Sequence, residues 1–204
     1  MNKKEAHPNA LKLLKSDIYW NSSEATLPFY NEDAFDALES ISEWSSNGAI
    51  YQGLLNYLET IGHGDFDYST LDANEIEEYN SNQNEDEYFA TDDEFIAFKE
   101  EMKEEFEFPD EQEVLFDMEF GKGSADAASI HIDQTIIAVV FASLIKNGEL
   151  SQELFQLGKA AIERELLEVS LLKFDEDKRN IRISELKVIT HDLYLSGNFR
   201  SEKM

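Results

Sequence analysis

The chain has 204 residues, of which 42% are hydrophobic, and 44 acidic against 17 basic residues give it a formal net charge of −27. This is enough apolar material to bury a core, so the composition excludes a wholly disordered chain. The lack of cysteine excludes disulfides, thiol catalysis and thiolate metal sites, and the negative field repels nucleic acid and anionic membranes.

Three amphipathic helices are predicted in the first part of the chain. Residues 7–15 form a short one, a second starts near Asn31 or Asp33 and ends at Gly48, and a third ends at Gly62. The predicted apolar faces consist of Ala34, Phe35, Ala37, Leu38 and Ile41 in the second helix and of Ile50, Leu54, Leu58 and Ile61 in the third.

An acidic surface insertion is predicted at residues 65–94. Its polar part, residues 72–84, is expected to be a mobile excursion, with room for a short acidic helix over residues 73–79. Thr91 and Glu94 form a capping-box pattern that predicts the start of another helix.

Strand-like alternation occurs at residues 113–120, and the best pairing partner for such a strand is the segment 178–184.

Residues 132–146 are apolar almost all round, which predicts a helix in the middle of the fold. A further helix is expected from an N-cap at Ser151 through Glu168, and a last amphipathic stretch at residues 185–195. The predicted fold class is therefore α+β and predominantly α-helical: one domain over residues 1–204 with at most a small β-sheet.

Two motifs resemble ligand-binding loops but lack a required residue. Gly121-Lys122-Gly123-Ser124 resembles the end of a phosphate loop, yet position 116, where the motif needs glycine, is Phe116, so a turn is expected. Asp65, Asp67 and Ser69 have calcium-loop spacing, but the sixth position is Thr70 instead of glycine.

Few residues are candidates for catalysis. Asp133 and Glu165 are the acids expected to be buried, Asp133 as a helix cap and Glu165 paired with Arg164 or Lys173. No catalytic residue, cofactor or metal site is predicted. His63 beside Asp65 and Asp67 leaves one alternative open, a metal-assisted hydrolase.

The uneven charge supports a binding function. Residues 65–119 hold 22 acids but only two bases, Lys99 and Lys103, and so carry −20 of the net charge. We expect a non-catalytic protein that captures a basic partner protein, immunity-like or antitoxin-like, because electrostatic steering speeds such capture. The predicted partner-binding residues are Asp65, Asp67, Glu75, Glu77, Glu78, Asp92, Asp93 and Glu94, with the aromatics Tyr19 and Trp20. A housekeeping role in which acidity only serves solubility is the remaining alternative.

The cytoplasm is the predicted location, without binding to membrane or nucleic acid. No apolar run follows Lys3 and Lys4, so a signal peptide is not expected. The longest apolar stretch, residues 136–141, is too short to span a bilayer.

Two segments resemble a family of acidic bacterial proteins. The first is His7-Pro8-Asn9-Ala10 through Asp17-Ile18-Tyr19-Trp20, followed by Leu27-Pro28-Phe29-Tyr30-Asn31-Glu32-Asp33. The second is Asp133-Gln134-x-Ile136-Ile137-Ala138 through Phe141 with the later Ile145-x-x-Gly148. The family is labelled molybdate-metabolism-regulator-like, and some members carry a WGR-type domain. The resemblance implies a helical bacterial protein. The chain has no Trp-Gly-Arg tripeptide, and no functional residue carries over.

Overall fold

The computed structural model describes residues 3–20, 32–46, 48–83, 128–174 and 176–201. Within these ranges the chain forms eight α-helices, one 3₁₀ turn and no strand. The helices are α1 (Pro8–Leu13), α2 (Glu32–Ser46), α3 (Ile50–Thr60), α4 (Ala73–Gln83), α5 (Ala128–Asn147), α6 (Gln152–Glu165), α7 (Glu168–Leu171) and α8 (Glu176–Ser201), with the 3₁₀ turn at Asp17–Tyr19.

Helix α5 is the centre of the fold, as its all-round apolar sequence predicts. Every residue from Thr135 to Ile145 is buried, and α1, α2, α3, α4 and α6 pack around it. Among the described helices it alone is long and apolar enough to cross a membrane, but 83% of that window is buried inside the fold, as in a core helix. The uninterrupted apolar stretch on which the sequence prediction rests, residues 136–141, is much shorter than this helix. Small polar residues such as Ser143 extend the helix beyond the uninterrupted apolar run.

Helices α1 to α3 pack against α5. The buried residues of α2 are Ala34, Ala37 and Ile41, whereas Phe35 is 53% exposed, contrary to prediction. The two alanines allow α2 to approach α5 closely, and this orientation turns Phe35 toward solvent. In α3 the predicted face is confirmed, since Ile50, Leu54 and Leu58 are buried. Gly48 (φ +67°) and Gly62 (φ +92°) adopt the left-handed backbone that their predicted roles beyond the ends of α2 and α3 require.

Helix α4 includes the short acidic helix that the sequence allowed over residues 73–79 and continues it to Gln83. Ile76 and Asn80 are buried, and the Asn80 side chain accepts a hydrogen bond from the Ser129 amide (2.9 Å) at the start of α5. Helix α4 therefore packs against the rest of the fold through these two residues, while most of its other residues are exposed. Residues 84–94 of the predicted insertion, which include the helix start at Thr91, and the strand predicted at 113–120 lie outside the described residues.

Helices α6 to α8 complete the structure. Ser151 caps α6 as predicted, by accepting a hydrogen bond from the Leu154 amide (3.2 Å). The predicted strand at residues 178–184 is wrong, because α8 runs through it. Buried positions along α8 recur every three or four residues, which is a helical period. Those positions are Arg182, Leu186, Ile189, Asp192, Leu193 and Ser196. The predominantly helical prediction is confirmed, and no sheet occurs in the described part of the chain.

Candidate functional site

The loop of residues 62–72 folds back onto α4, and together they form a compact segment, residues 62–83, which we call the acidic unit. The Phe66 ring lies 4.5 Å from the Tyr79 ring and 5.9 Å from the Tyr68 ring, centroid to centroid. His63 Nδ1 is hydrogen-bonded to the Tyr79 hydroxyl (2.8 Å), and the Tyr68 hydroxyl donates to the His63 carbonyl (2.8 Å). These aromatic contacts hold the loop in one conformation against the helix.

Arg164 of α6 anchors the acidic unit from beneath. Its side chain is fully buried, and Nη1 donates to the carbonyl oxygens of Tyr68 (3.0 Å) and Thr70 (2.9 Å). The guanidinium carbon also lies 4.9 Å from the centre of the Phe66 ring, within cation–π range. Arg164 thus satisfies two loop carbonyls that no regular secondary structure would satisfy.

Asp133 of α5 balances the charge of Arg164. Arg164 Nε donates to both carboxylate oxygens of Asp133 (3.0 and 3.1 Å), and Nη2 donates to Oδ1 as well. Burial raises the pKa of Asp133, while the adjacent guanidinium acts in the opposite direction. The prediction that Asp133 is buried is confirmed. Its expected capping role was wrong, because Asp133 lies beyond the first turn of α5 and pairs with another helix.

Glu165 is also buried, as predicted, but its partner differs from the expected one. Arg182 of α8 donates to both of its carboxylate oxygens, from Nε (2.7 Å) and from Nη2 (2.6 Å). The expected partners were Arg164, which binds Asp133, and Lys173. Helix periodicity explains the difference, because consecutive residues on a helix point about 100° apart and so reach different neighbours.

The carboxylates of the acidic unit face solvent. Those of Asp65, Asp67, Asp72, Glu75, Glu77 and Glu78 belong to exposed residues. Asp67 Oδ1 accepts hydrogen bonds from the Ser69 hydroxyl (2.7 Å) and the Ser69 amide (2.8 Å), and these bonds lower the pKa of Asp67. Asp72 Oδ1 accepts from the Asn74 amide (2.8 Å) at the start of α4. Local hydrogen bonds therefore orient both carboxylates, and those from Ser69 favour the charged form of Asp67.

The neighbouring sequence adds no positive charge to the unit. No lysine or arginine occurs between Lys15 and Lys99. Helix α2, which lies within this span, contributes further acids. Asp72 was not among the predicted site residues. The signal that could have identified Asp72 is its position immediately before α4, where a carboxylate accepts hydrogen bonds from backbone amides.

The remaining predicted partner-binding residues do not belong to the acidic unit. Asp92, Asp93 and Glu94 lie outside the described residues. Tyr19 is only 2% exposed and stacks on Phe141 with ring centroids 5.0 Å apart, so it is a core residue and was wrongly assigned to the surface. Burial, together with the charge of Asp192, raises the pKa of its hydroxyl.

Trp20 is half-buried and binds the end of α1. Its Nε1 donates to the Leu14 carbonyl (3.3 Å), and the Lys3 ammonium lies 5.5 Å from the ring centroid. These contacts attach the segment after α1 to the core. Trp20 therefore presents only part of its ring at the surface.

The alternative metal site is not assembled in the structure. His63 Nδ1 is engaged by Tyr79, and burial lowers the pKa of His63 although Asp33 opposes the shift. Within the described ranges, no three His, Asp or Glu side chains lie close enough to hold one metal ion. The geometry gives the hydrolase hypothesis no support.

Comparison with known proteins finds no matching family model, no matching curated protein and no matching solved structure. The resemblance to molybdate-metabolism-regulator-like proteins therefore stays a prediction.

Proposed function

We propose that the protein is a non-catalytic binding protein that captures a basic partner protein through the acidic unit, as an immunity-like or antitoxin-like inhibitor or regulator. One observation carries the proposal: exposed carboxylates are clustered on a segment whose backbone is held by the buried Arg164. Charge alone indicates which class of partner the protein captures. A partner with a cationic surface is the expected class.

Rigidity makes this acidic surface a better binding surface than a flexible acidic tail. A flexible tail loses conformational entropy when it binds, whereas a surface that is already ordered loses little. The carboxylates of Asp67 and Asp72 are also held by local hydrogen bonds before any partner arrives. Electrostatic steering by such a surface raises association rates at low ionic strength by about 10-fold to 1,000-fold.

The test compares three forms of the protein immobilised on beads. The first is the wild type. The second carries Asp65→Asn, Glu77→Gln and Glu78→Gln, which are exposed positions on the acidic unit. The matched control carries Glu5→Gln, Glu168→Gln and Glu176→Gln, which remove the same charge from exposed positions elsewhere. Lysate from the cells that encode the protein is applied at low salt, and retained proteins are eluted with increasing NaCl and identified.

We expect the wild type and the control to retain the same basic protein and the acidic-unit variant to lose it. With the purified partner, the variant should associate about tenfold more slowly at low salt, because the lost charges act mainly on the association rate. Equal retention by all three forms would show that the acidity serves solubility and would refute the proposal. So would retention of no basic protein by the wild type.

A further inference from the structure

The outward side of α8 carries a line of exposed apolar side chains, which we call the α8 stripe. Ile181 is 50% exposed, Val188 36% and Leu195 38%. These residues recur every seven positions, and seven residues are almost two helical turns, so the three side chains lie in one line along about 21 Å of helix. Contiguous exposed apolar residues with polar neighbours are typical of a protein–protein interaction surface.

The surroundings of the α8 stripe differ in charge from the rest of the chain. Helix α8 contains five basic and four acidic residues, whereas the whole chain contains 17 and 44. Between residues 178 and 197 no carboxylate is exposed, because Glu185 is half-buried and bound by Arg182 (3.4 Å) and Asp192 is buried. Lys187, beside Val188, is exposed. A surface that complements this one is apolar and negatively charged.

The acidic unit has this complementary composition. Among its large apolar residues, which are all described by the structure, Leu71 alone is exposed, at 44%. The exposed carboxylates of Asp72 and Glu75 follow Leu71 closely in the sequence. Glu77 and Glu78 on α4 add two more exposed carboxylates. The acidic unit thus presents one apolar side chain among several negative charges.

The α8 stripe and the acidic unit do not meet within one chain. Arg164 holds the acidic unit to α6, and the ion pair of Arg182 with Glu165 holds α8 to the same helix. In this packed arrangement Leu71 and the three residues of the α8 stripe are all exposed. Contact between the two surfaces therefore requires two molecules.

We propose that the α8 stripe of one copy of the chain binds the acidic unit of a second copy. Ile181, Val188 and Leu195 pack around Leu71 of the other copy, and Lys187 lies beside the carboxylates of that acidic unit. The contact is heterologous, since each copy contributes a different surface. A dimer formed in this way still presents one α8 stripe and one acidic unit, so further copies can add.

The net charge of −27 makes this association weak. At an ionic strength of 0.15 M the Debye length is about 8 Å, so repulsion between distant carboxylates is largely screened while groups in contact still attract. A single stripe of three side chains makes a small interface of the transient class. If the acidic unit also captures a basic protein, as proposed above, that protein and a second copy compete for it. The contact itself does not depend on the proposed function.

The first experiment measures self-association by sedimentation velocity at about 0.15 M NaCl and at protein concentrations up to about 1 mM, where a millimolar Kd is detected. The weight-average mass of the wild type should rise with concentration. A variant with Lys187→Gln and Val188→Gln loses both kinds of contact and should need at least about tenfold higher concentration to reach the same mass.

The matched control carries Leu172→Gln and Lys173→Gln. These changes remove one exposed apolar residue and one exposed base outside α8, and the control should associate like the wild type. A wild type that stays monomeric at every concentration overturns the proposal. Equal association of the α8 variant and the wild type overturns it as well.

The second experiment tests whether the contact joins two different surfaces. An acidic-unit variant carries Leu71→Gln, Glu77→Gln and Glu78→Gln, all at exposed positions. Alone, this variant and the α8 variant should each stay monomeric. Mixed in equal amounts, they should form a one-to-one dimer and nothing larger, because each supplies the surface that the other lacks. A mixture that stays monomeric while the wild type associates points to a symmetric contact, such as α8 on α8, and overturns the proposal.

The same variants keep this contact separate from the capture of a basic partner. The α8 variant has an unchanged acidic unit, so in the bead experiment it should retain a basic protein as the wild type does. A dimer in the mixture without a retained basic protein would refute the proposed function and support the contact. A retained basic protein without a dimer in the mixture would refute the contact and support the proposed function.

Discussion

Arg164 and Glu165 are adjacent on α6, and both are buried with oppositely charged partners on different helices. Asp133 of α5 pairs with Arg164, and Arg182 of α8 pairs with Glu165. Burying a charge costs several kcal/mol unless good geometry and further hydrogen bonds offset the loss of water. Arg164 meets this condition through the Tyr68 and Thr70 carbonyls, so the ion pair also determines where the acidic unit lies.

Replacing Arg164 by methionine should therefore be among the most damaging single changes. We expect the free energy of unfolding to fall by about 3–5 kcal/mol, because Asp133 is left buried without its partner. Urea unfolding measures this change.

Two further variants isolate the cause. Adding Asp133→Leu to Arg164→Met should restore part, but not all, of the lost free energy of unfolding, since the two loop carbonyls remain unpaired. Lys159→Met on the same helix breaks only the surface pair with Glu163 (3.4 Å) and should cost less than about 1 kcal/mol. A loss of under about 1 kcal/mol for Arg164→Met would contradict the anchoring role.

At the scale of the elements, α4 supplies a hydrogen-bond acceptor for a backbone amide at the start of α5. Helix α5 has no acidic residue in its first turn, and the Asn80 side chain on α4 accepts from the Ser129 amide at a buried position. One helix thus caps the next through a contact 49 residues apart in sequence. The same contact places α4, and with it Glu75, Glu77 and Glu78, against the core.

The substitution Asn80→Ala should lower the free energy of unfolding by about 1–2 kcal/mol, because a buried helix-terminal amide loses its acceptor. Chemical unfolding tests this directly. The control is Asn82→Ala, an exposed position on the same helix, which should change stability by less than about 0.5 kcal/mol. Equal effects of the two substitutions would mean that the side-chain cap contributes nothing.

On the scale of the whole molecule, the net charge of −27 acts against compactness. Like charges repel more strongly in the folded chain than in the expanded unfolded chain, and salt screens that repulsion. We expect the free energy of unfolding to rise by on the order of 1 kcal/mol between about 0.05 M and about 0.5 M NaCl. Urea titrations with an unchanged m-value would assign the gain to stability alone. A loss of stability over this range would show that attractive surface pairs dominate.

Much of the local structure could be predicted from patterns in the chain. The apolar spacing of Ile50, Leu54 and Leu58 determines the buried face of α3, and Gly48 and Gly62 have the expected positive φ angles. The alternation of Ile181 and Ile183 with Arg182 suggested a strand but did not determine one. Arg182 is buried by pairing with Glu165, so a charged residue belongs to the inner face of α8.

The candidate site likewise depends partly on local sequence patterns and partly on contacts between residues far apart in sequence. The sequence by itself determined that the protein is acidic and that residues 16–98 carry no lysine or arginine, and the spacing of its apolar residues predicted a mostly helical chain. Only the tertiary structure decided that Arg164 holds the acidic unit, that Asn80 caps α5 and that Tyr19 is a core residue. The physical reason is that charge and helical periodicity are properties of neighbouring residues. A buried ion pair or a cap joins groups that are far apart in sequence and meet only when the helices pack.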